Sequence, residues 1–356
     1  MYHSIIAGIG KYLPSRVVTN ADLTKVMDTS DEWIQERTGI KERRYAEKHK
    51  ETATTMGARA AEIAMERAGT TAEDIDFIVF ASISGDYFFP GCGVLVQREL
   101  GITKKEVGAL DVRVQCSGFV YALSVADQFI KTGMYKNILV IGAEMHSMGL
   151  DFSTRGRNVS VIFGDGAGAV VLQPTKSKKR GIINTKLHSD GTHAEKLSMI
   201  NPGSHGGYHF NKMGQEIDFG YPDKEVLGEI YMTQKMMDDG LNYPLMEGQL
   251  VFKTAVVKFP EVIMESLNAA GKDLSEIKML VPHQANLRIS QFIQRKLNLR
   301  DDQVWNNIQK YGNTTAASIP IALCEAWEAG AIQKGDLVCL AAFGSGFTWG
   351  AALLNW

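Results

Sequence analysis

A cysteine lying between an apolar strand pattern and a helix pattern is the residue of this chain best suited to covalent chemistry. Gly108-Ala-Leu-Asp-Val-Arg-Val-Gln115 reads as a strand, and Cys116-Ser-Gly-Phe-Val-Tyr-Ala-Leu-Ser-Val-Ala126 continues as a helix. At such a turn the positive end of the helix dipole is expected to lower the thiol pKa and favour the nucleophilic thiolate. His283 follows the strand Met279-Leu-Val281 and a proline and precedes Gln284-Ala-Asn-Leu-Arg288, the strand-end position where ligand sites of α/β sheets collect. Asn313 sits in Tyr311-Gly-Asn-Thr-Thr-Ala-Ala-Ser-Ile-Pro320, a glycine turn that opens a small-residue helix. Gly344-Ser-Gly-Phe-Thr-Trp-Gly350 offers backbone amides between two strands, suited to a developing oxyanion.

Bland alternatives stand beside each of these. An arbitrary cysteine is more often a small buried residue, and Cys92, Cys324 and Cys339 fit that description. A lone histidine is usually structural, and an asparagine at a glycine turn can be a helix cap. His205 and His209 fall in a glycine-rich loop, where helical metal-ligand spacing does not apply. Gly164-Asp-Gly-Ala-Gly168 leads into a strand rather than a helix, so a dinucleotide loop is rejected.

The elements that must position these residues alternate. Helix patterns run over Thr52–Ala68, Cys116–Thr132, Thr254–Ala270, Gln284–Leu297 and Thr314–Ala329. Buried strand patterns cover Asp76–Ala81, Val107–Val114, Asn137–Gly142, Ala167–Leu172, Lys278–Val281, Leu337–Ala341 and Gly350–Leu354, and the N-terminus reads as a first strand. Apolar strands separated by helices imply sheets covered on both faces, a layered α/β fold.

The order of elements repeats. Met65-Glu-Arg-Ala-Gly69 with Ile75-Asp-Phe-Ile-Val79 returns 202 positions later as Leu267-Asn-Ala-Ala-Gly271 with Ile277-Lys-Met-Leu-Val281. Ile138-Leu-Val-Ile141 is echoed by Leu337-Val-Cys-Leu340, and Phe163-Gly-Asp-Gly by Phe343-Gly-Ser-Gly. Two related halves are expected, residues 1–175 and 176–356, joined at the basic turn Lys176-Ser-Lys-Lys-Arg180. Residues 201–248 have no counterpart in the first half and form an insertion rich in aromatics and Met, with a short helix expected near Asp223–Asp238.

Composition narrows the class. The 356 residues are 45% hydrophobic and 22% charged, which excludes intrinsic disorder. A net charge of −2 gives no field for nucleic acid. The four cysteines form no CxxC, so neither a disulfide framework nor a structural zinc site is expected, and reduced thiols suit a cytosol. Apolar stretches fall short of the roughly 18 residues that span a bilayer, and no signal peptide is read at the N-terminus.

Taken together the motifs resemble β-ketoacyl-[acyl-carrier-protein] synthase III, of the thiolase-like superfamily. The resemblance rests on Ser30-Asp-Glu-Trp-Ile-Gln-Glu-Arg-Thr-Gly-Ile40, Cys116-Ser-Gly-Phe119, Phe163-Gly-Asp-Gly-Ala-Gly168, Val281-Pro-His-Gln-Ala-Asn-Leu-Arg288, Gly312-Asn-Thr-Thr-Ala-Ala-Ser-Ile-Pro320 and Phe343-Gly-Ser-Gly-Phe-Thr-Trp-Gly350. It implies a five-layered αβαβα fold of two pseudo-symmetric halves, a homodimer, and decarboxylative condensation of acyl-CoA with malonyl-[acyl-carrier-protein]. Cys116 falls on the nucleophile, with His283 and Asn313 completing the catalytic set; the amides of Cys116 and Gly346 fall on the oxyanion site. Trp33, Arg37 and Arg157 fall on coenzyme A contacts, Asn286 near the pantetheine, and Phe89 on the residue that enters the partner subunit's acyl pocket. Acyl-CoA is then a substrate, no cofactor or metal is implied, and the carrier protein is expected to dock on Gln284, Arg288, Arg295 and Lys296. Gln115 before the nucleophile, Ser345 inside the final glycine loop and the 201–248 segment depart from the family pattern. A specialised long-chain or secondary-metabolite condensing enzyme would share the same catalytic residues, and a non-catalytic acyl or carrier-protein scaffold is a more distant alternative.

Overall fold

A computed structural model of the chain describes residues 2–177, 179–205, 207–208, 214, 217–221 and 231–356. The first sheet contains β1 (His3–Tyr12), β2 (Phe77–Ala81), β3 (Gly108–Val112), β4 (Ile138–Glu144) and β5 (Gly166–Thr175), in the order β1-β5-β4-β2-β3. Strands β2, β3 and β4 are mutually parallel, whereas β5 and β1 each run against their neighbours. After Thr175 the chain crosses to a second sheet of β6 (Gly181–Ser189), β7 (Ile277–Pro282), β8 (Leu337–Gly344) and β9 (Thr348–Asn355), in the order β7-β8-β9-β6. Its directions match the first sheet strand for strand, β7 and β8 being parallel and the rest antiparallel. Val304 forms a single parallel bridge to Leu280, outside β7 as β3 lies outside β2.

Helices fill three layers around the two sheets. α1 (Asp31–Thr38) stands at one side, and α2 (Ala53–Ala68) and α3 (Cys92–Glu99) pack together on the outer face of the first sheet. α4 (Gly118–Lys131) and α7 (Ser318–Glu328) lie between the sheets, while α5 (Gly248–Ala270) and α6 (Leu287–Lys296) pack together on the second sheet's outer side. The two-residue alternation of strands explains how one run serves two cores. Val79, Ala81, Ile138 and Val140 face the central helices, whereas Ile78, Phe80, Leu139 and Ile141 face α2. In the second sheet Val338, Leu340 and Ala342 point inward, and Leu337, Cys339, Ala341 and Phe343 point toward α5 and α6. This is the αβαβα layering that the resemblance implies, and its two halves are those expected from the repeat.

Several boundaries differ from the sequence reading, each for a local reason. β3 is an edge strand and is largely exposed rather than buried, with Leu110 39% accessible. The helices expected at Cys116 and Thr314 begin at Gly118 and Ser318, because 3₁₀ turns over Gln115–Ser117 and Thr315–Ala317 precede them. Gln115 (φ 43°) and Thr315 (φ 47°) stand at equivalent places in these turns, both left-handed. α5 starts at Gly248, earlier than Thr254, and contains Pro260. α6 starts at Leu287, with Asn286 as its cap through Oδ1 to the Arg288 amide at 2.9 Å. Within the insertion, the expected helix survives as Gln234–Asp238, and residues 222–230 lie outside the described residues, as does His209. Phe219 and Met236 are buried there in a small core with Ile200, Ile217, Tyr221, Met232 and Leu241.

The two halves touch backbone to backbone. A Cβ placed on Gly142 of β4 would lie 2.4 Å from the carbonyl oxygen of Ala316. Gly142→Ala should therefore cost about 3 kcal/mol and lower Tm, as overpacked cores do. Gly191→Ala, where a Cβ meets nothing within 4 Å, serves as the control. Matching melting curves for the two variants would show that the halves can part without penalty.

Candidate active site

Cys116, His283 and Asn313 line one cavity of about 1240 Å³. Each stands at the end of a different element, as the sequence suggested. Cys116 is in the turn leading into α4, His283 directly follows β7, and Asn313 precedes the turn leading into α7. Asn313 is held at both backbone ends, its amide donating to the Ile162 carbonyl at 2.8 Å and its carbonyl accepting from the Gly164 amide at 3.0 Å. Its side-chain Oδ1 accepts from the Thr315 amide at 2.8 Å. That leaves Nδ2 to donate toward the Cys116 sulfur.

The thiol behaves otherwise than its helix position implies. Burial pushes the Cys116 thiol up to about 12, and the neighbouring Glu144 carboxylate adds to the rise. Amide N–H groups of Ser345 and of Cys116 itself, with the Asn313 carboxamide, oppose this without overcoming it. Desolvation outweighs the end of a helix dipole because the dipole is equivalent to about half a charge, whereas a thiolate loses its whole hydration shell. The expectation of a lowered thiol pKa is therefore corrected. The sequence expectation places the second oxyanion amide at Gly346; the loop amide beside the Cys116 sulfur is that of Ser345. Gly346, at φ 128°, turns the chain toward Thr348 and does not line the cavity.

His283 is equally dry. Its amide donates to the Ala341 carbonyl at 2.8 Å, and Nδ1 lies 2.6 Å from Ser318 Oγ. Nε2 is buried with no hydrogen-bond partner among the described residues, so one nitrogen is left for a substrate. Burial lowers its pKa to about 3, so the ring is neutral near pH 7.

Trp33, Arg37, Arg157 and Asn286 gather beside this cavity. The Arg37 guanidinium lies 4.4 Å from the Trp33 ring centroid and that of Arg157 5.4 Å from it. Asn286 Nδ2 donates to the Arg37 carbonyl at 2.8 Å, and of the four Asn286 lines the cavity itself. Phe89 does not enter the cavity of its own chain and is 81% exposed, next to exposed Tyr87 and Phe88. Arg288, Arg295 and Lys296 are exposed on α6. Gln284 is not: it is buried, its Nε2 donating to the Pro282 carbonyl at 2.7 Å and the Trp305 carbonyl at 3.2 Å. Its Oε1 accepts from the Asn307 and Ile308 amides, so Gln284 clamps the loop to β7 and offers no docking surface.

Two residues of the site carry no sequence motif. Glu144, at the end of β4, accepts from Ser82, from Ser84 and from the Ile83 and Ser84 amides, and burial raises its pKa to about 7. His146 lines the cavity, lies 4.7 Å from the Phe163 ring at a tilt of 45° and places Nε2 2.6 Å from Thr315 Oγ1. A histidine pattern in a strand-end loop could have flagged His146; nothing local marks Glu144. Asp165, in the rejected glycine motif, is a buried clamp for the Ala46 and Ser147 amides at 2.7 and 2.9 Å. Cys92, Cys324 and Cys339 are buried with pKa values raised by desolvation, as packing residues are.

The buried imidazole of His146 makes stability depend on pH. Burial lowers its pKa to about 3; in an unfolded chain it titrates at about 6.5. Between those values the unfolded chain binds the proton and the folded one does not, so stability present above about 6.5 is lost as pH falls. Wild type should lose about 1.4 kcal/mol per pH unit relative to His146→Gln below that point, read from urea unfolding between about pH 7 and about pH 5. A difference that does not vary with pH would mean that the ring takes up its proton in the folded chain as readily as in the unfolded one.

No helix among the described residues is long and apolar enough to cross a membrane, and no group of three or more His, Cys, Asp or Glu among them could hold a metal ion. The family model 3-oxoacyl-[acyl-carrier-protein (ACP)] synthase III matches residues 110–191, and its C-terminal companion matches residues 267–356. The chain is 45% identical over 356 residues to beta-ketoacyl-[acyl-carrier-protein] synthase III of Rhodospirillum centenum, covering 99% of each. It is 44% identical over 355 residues to the protein of that name from Yersinia pseudotuberculosis, covering 100% of each. The crystal structure of 3-oxoacyl-[acyl-carrier-protein] synthase III from Aquifex aeolicus aligns with a TM-score of 0.84 at 41% identity, over 99% of this chain and 100% of that one. With near-complete coverage at this identity, and with the layered double fold that the repeat foretold, the chain belongs to the β-ketoacyl-[acyl-carrier-protein] synthase III family.

Proposed function

We propose that the chain condenses an acyl-CoA primer with malonyl-[acyl-carrier-protein], by way of an acyl group on Cys116, to begin fatty acid synthesis. The observation that carries this is the cavity onto which Cys116, His283 and Asn313 open while themselves buried, with the Asn313 carboxamide and the Ser345 amide beside the sulfur. The Cys116 sulfur attacks the thioester carbonyl, the acyl group moves to it, and the thiol proton leaves with coenzyme A. In the second half-reaction the bond to the malonyl carboxylate breaks, carbon dioxide departs, and the electron pair passes onto the thioester oxygen as an enolate. Asn313 Nδ2 donates to that oxygen. So does His283 Nε2 when the Ser318 hydroxyl turns its proton to Nδ1. The enolate carbon attacks the acyl-Cys116 carbonyl, whose oxygen is met by the amides of Cys116 and Ser345. Collapse expels the Cys116 thiolate and releases 3-oxoacyl-[acyl-carrier-protein], and a proton taken up from water restores the thiol.

A neutral His283 suits this chemistry, since decarboxylation generates its own carbanion and needs donors rather than a strong base. Trp33, Arg37 and Arg157 offer coenzyme A an aromatic face flanked by two cations, which match its adenine and phosphates, with Asn286 near the pantetheine. A second copy of the chain would cover the open edge of β3 and receive Phe89 in its acyl pocket, giving a homodimer. Acyl-CoA serves as substrate, no cofactor is required, and the reaction belongs to the cytoplasm. Cys116→Ala should abolish acylation by acyl-CoA, read as the loss of the acyl mass from the intact protein. His283→Ala and Asn313→Ala should slow malonyl decarboxylation by about 10²–10³ while acylation falls far less. Equal losses in both half-reactions would instead make these residues activators of the thiol.

The exposed cations of α6 suit an acidic carrier protein. Arg288→Glu should raise the KM for malonyl-[acyl-carrier-protein] severalfold at low salt and leave acyl-CoA loading unchanged. An unaltered KM under those conditions would move the dock to another face.

A further inference from the structure

The turn between β8 and β9 has little room for side chains. A Cβ on Gly344 would sit 2.5 Å from Cys116 Cβ, and Gly346 holds a φ of 128° that L residues avoid. Ser345 lies between them, and each of its groups has a partner. Its amide faces the Cys116 sulfur and favours the charged form of the thiol, its hydroxyl donates to the Leu197 carbonyl, and its carbonyl accepts from Thr348 Oγ1 at 2.9 Å. Thr348 Oγ1 is in turn 2.6 Å from Ser117 Oγ, on the residue after the nucleophile. The loop is thus fastened on the nucleophile's side through Thr348, to Asp190 through the backbone of Phe347 at 2.6 and 2.8 Å, and to Leu197 through the Ser345 hydroxyl.

Leu197 belongs to the wall of the cavity. Leu197–Ser198 pair with Leu245–Met246, closing the base of the 201–248 segment. Leu197, Met199, Pro244 and Met246 all line the cavity that contains Cys116. An acyl chain that presses on this strand pair therefore presses on the carbonyl to which Ser345 is tied. A glycine at position 345 would keep the amide and lose the tie.

We infer that Ser345 is a positioning residue that couples the acyl-pocket wall to the oxyanion amide, so that primer length is read at the sulfur. The inference rests on the proposed acylation of Cys116. A primer that fits leaves the Leu197 strand in place and the Ser345 amide aimed; one that displaces the strand draws the amide off line. Small displacements suffice, because donors to a developing oxyanion act over a narrow range of distance.

The test is the profile of kcat and KM over a series of acyl-CoA primers of increasing length, with intact mass reporting acyl-Cys116. Ser345→Ala and Ser345→Gly remove the hydroxyl and should reduce discrimination in kcat between the best and worst primers by about tenfold, the weight of one hydrogen bond. KM for short primers should hardly move. Ser345→Thr retains a hydroxyl and should keep the wild-type profile. The inference is overturned if the Ala and Gly variants keep the wild-type profile, if they lose the same factor on every primer, or if the Thr variant flattens with them. A wild-type protein that takes no acyl mass on Cys116 would overturn the underlying reaction instead.

Discussion

The contact between Gly142 and the Ala316 carbonyl sets the scale of the active site. With a Cβ there only 2.4 Å from that oxygen, the first sheet and the second half's turn meet with no side chain between them. That closeness brings residues of two halves to a single cavity: Cys116 from the first, His283 and Asn313 from the second. Glu144 spans the same seam, holding Ser82 and Ser84 on one side and approaching the Ala316 amide at 3.4 Å on the other. His146 reaches across it to Thr315 at 2.6 Å. A residue inserted at the seam would separate donors from nucleophile before it disturbed either half's own core.

The electrostatics follow from the same packing. Cys116 is held as a thiol, pushed up to about 12, and His283 as a neutral ring, lowered to about 3. The resting site thus carries little charge at its centre, and its polar groups are fixed dipoles rather than ions. Such groups respond strongly when substrate brings charge into a dry space, since nothing must reorient first. Glu144 lies close enough to raise the thiol further, so the residue that fastens the seam also disfavours a free thiolate. The nucleophile is kept quiet until a thioester arrives.

Much of this was legible from residue types. Cys116, His283 and Asn313 each stand where a strand or a glycine turn gives way to a helix, and such junctions leave a mark in the periodicity. The layering was legible too, because β2 and β7 follow matching Gly-capped helices 202 positions apart. What escaped was set by three-dimensional burial. Gln284 looks like an exposed polar residue before a helix, yet its carboxamide satisfies four backbone groups in the interior. The left-handed conformations of Gln115 and Thr315 fall on residues with no preference for them, so the late helix starts had no local signal. The effect of burial on Cys116 cannot be read from a helix dipole alone.

The matched turns at Gln115–Ser117 and Thr315–Ala317 mean that Cys116 and Ala316 occupy equivalent places, one bearing a reactive sulfur and the other a methyl group. Duplication has here produced a division of labour. One copy of the turn presents the reagent; the other has become a bracket whose amide aims Asn313 and whose carbonyl engages Ser318 beside His283. Change can therefore accumulate in modules: substitutions around the first turn alter what the sulfur accepts, and substitutions around the second alter how the incoming carbanion is generated. A lineage that retuned its starter unit could do so in the first half, and inherit the second half's machinery for breaking the carbon–carbon bond without redesign.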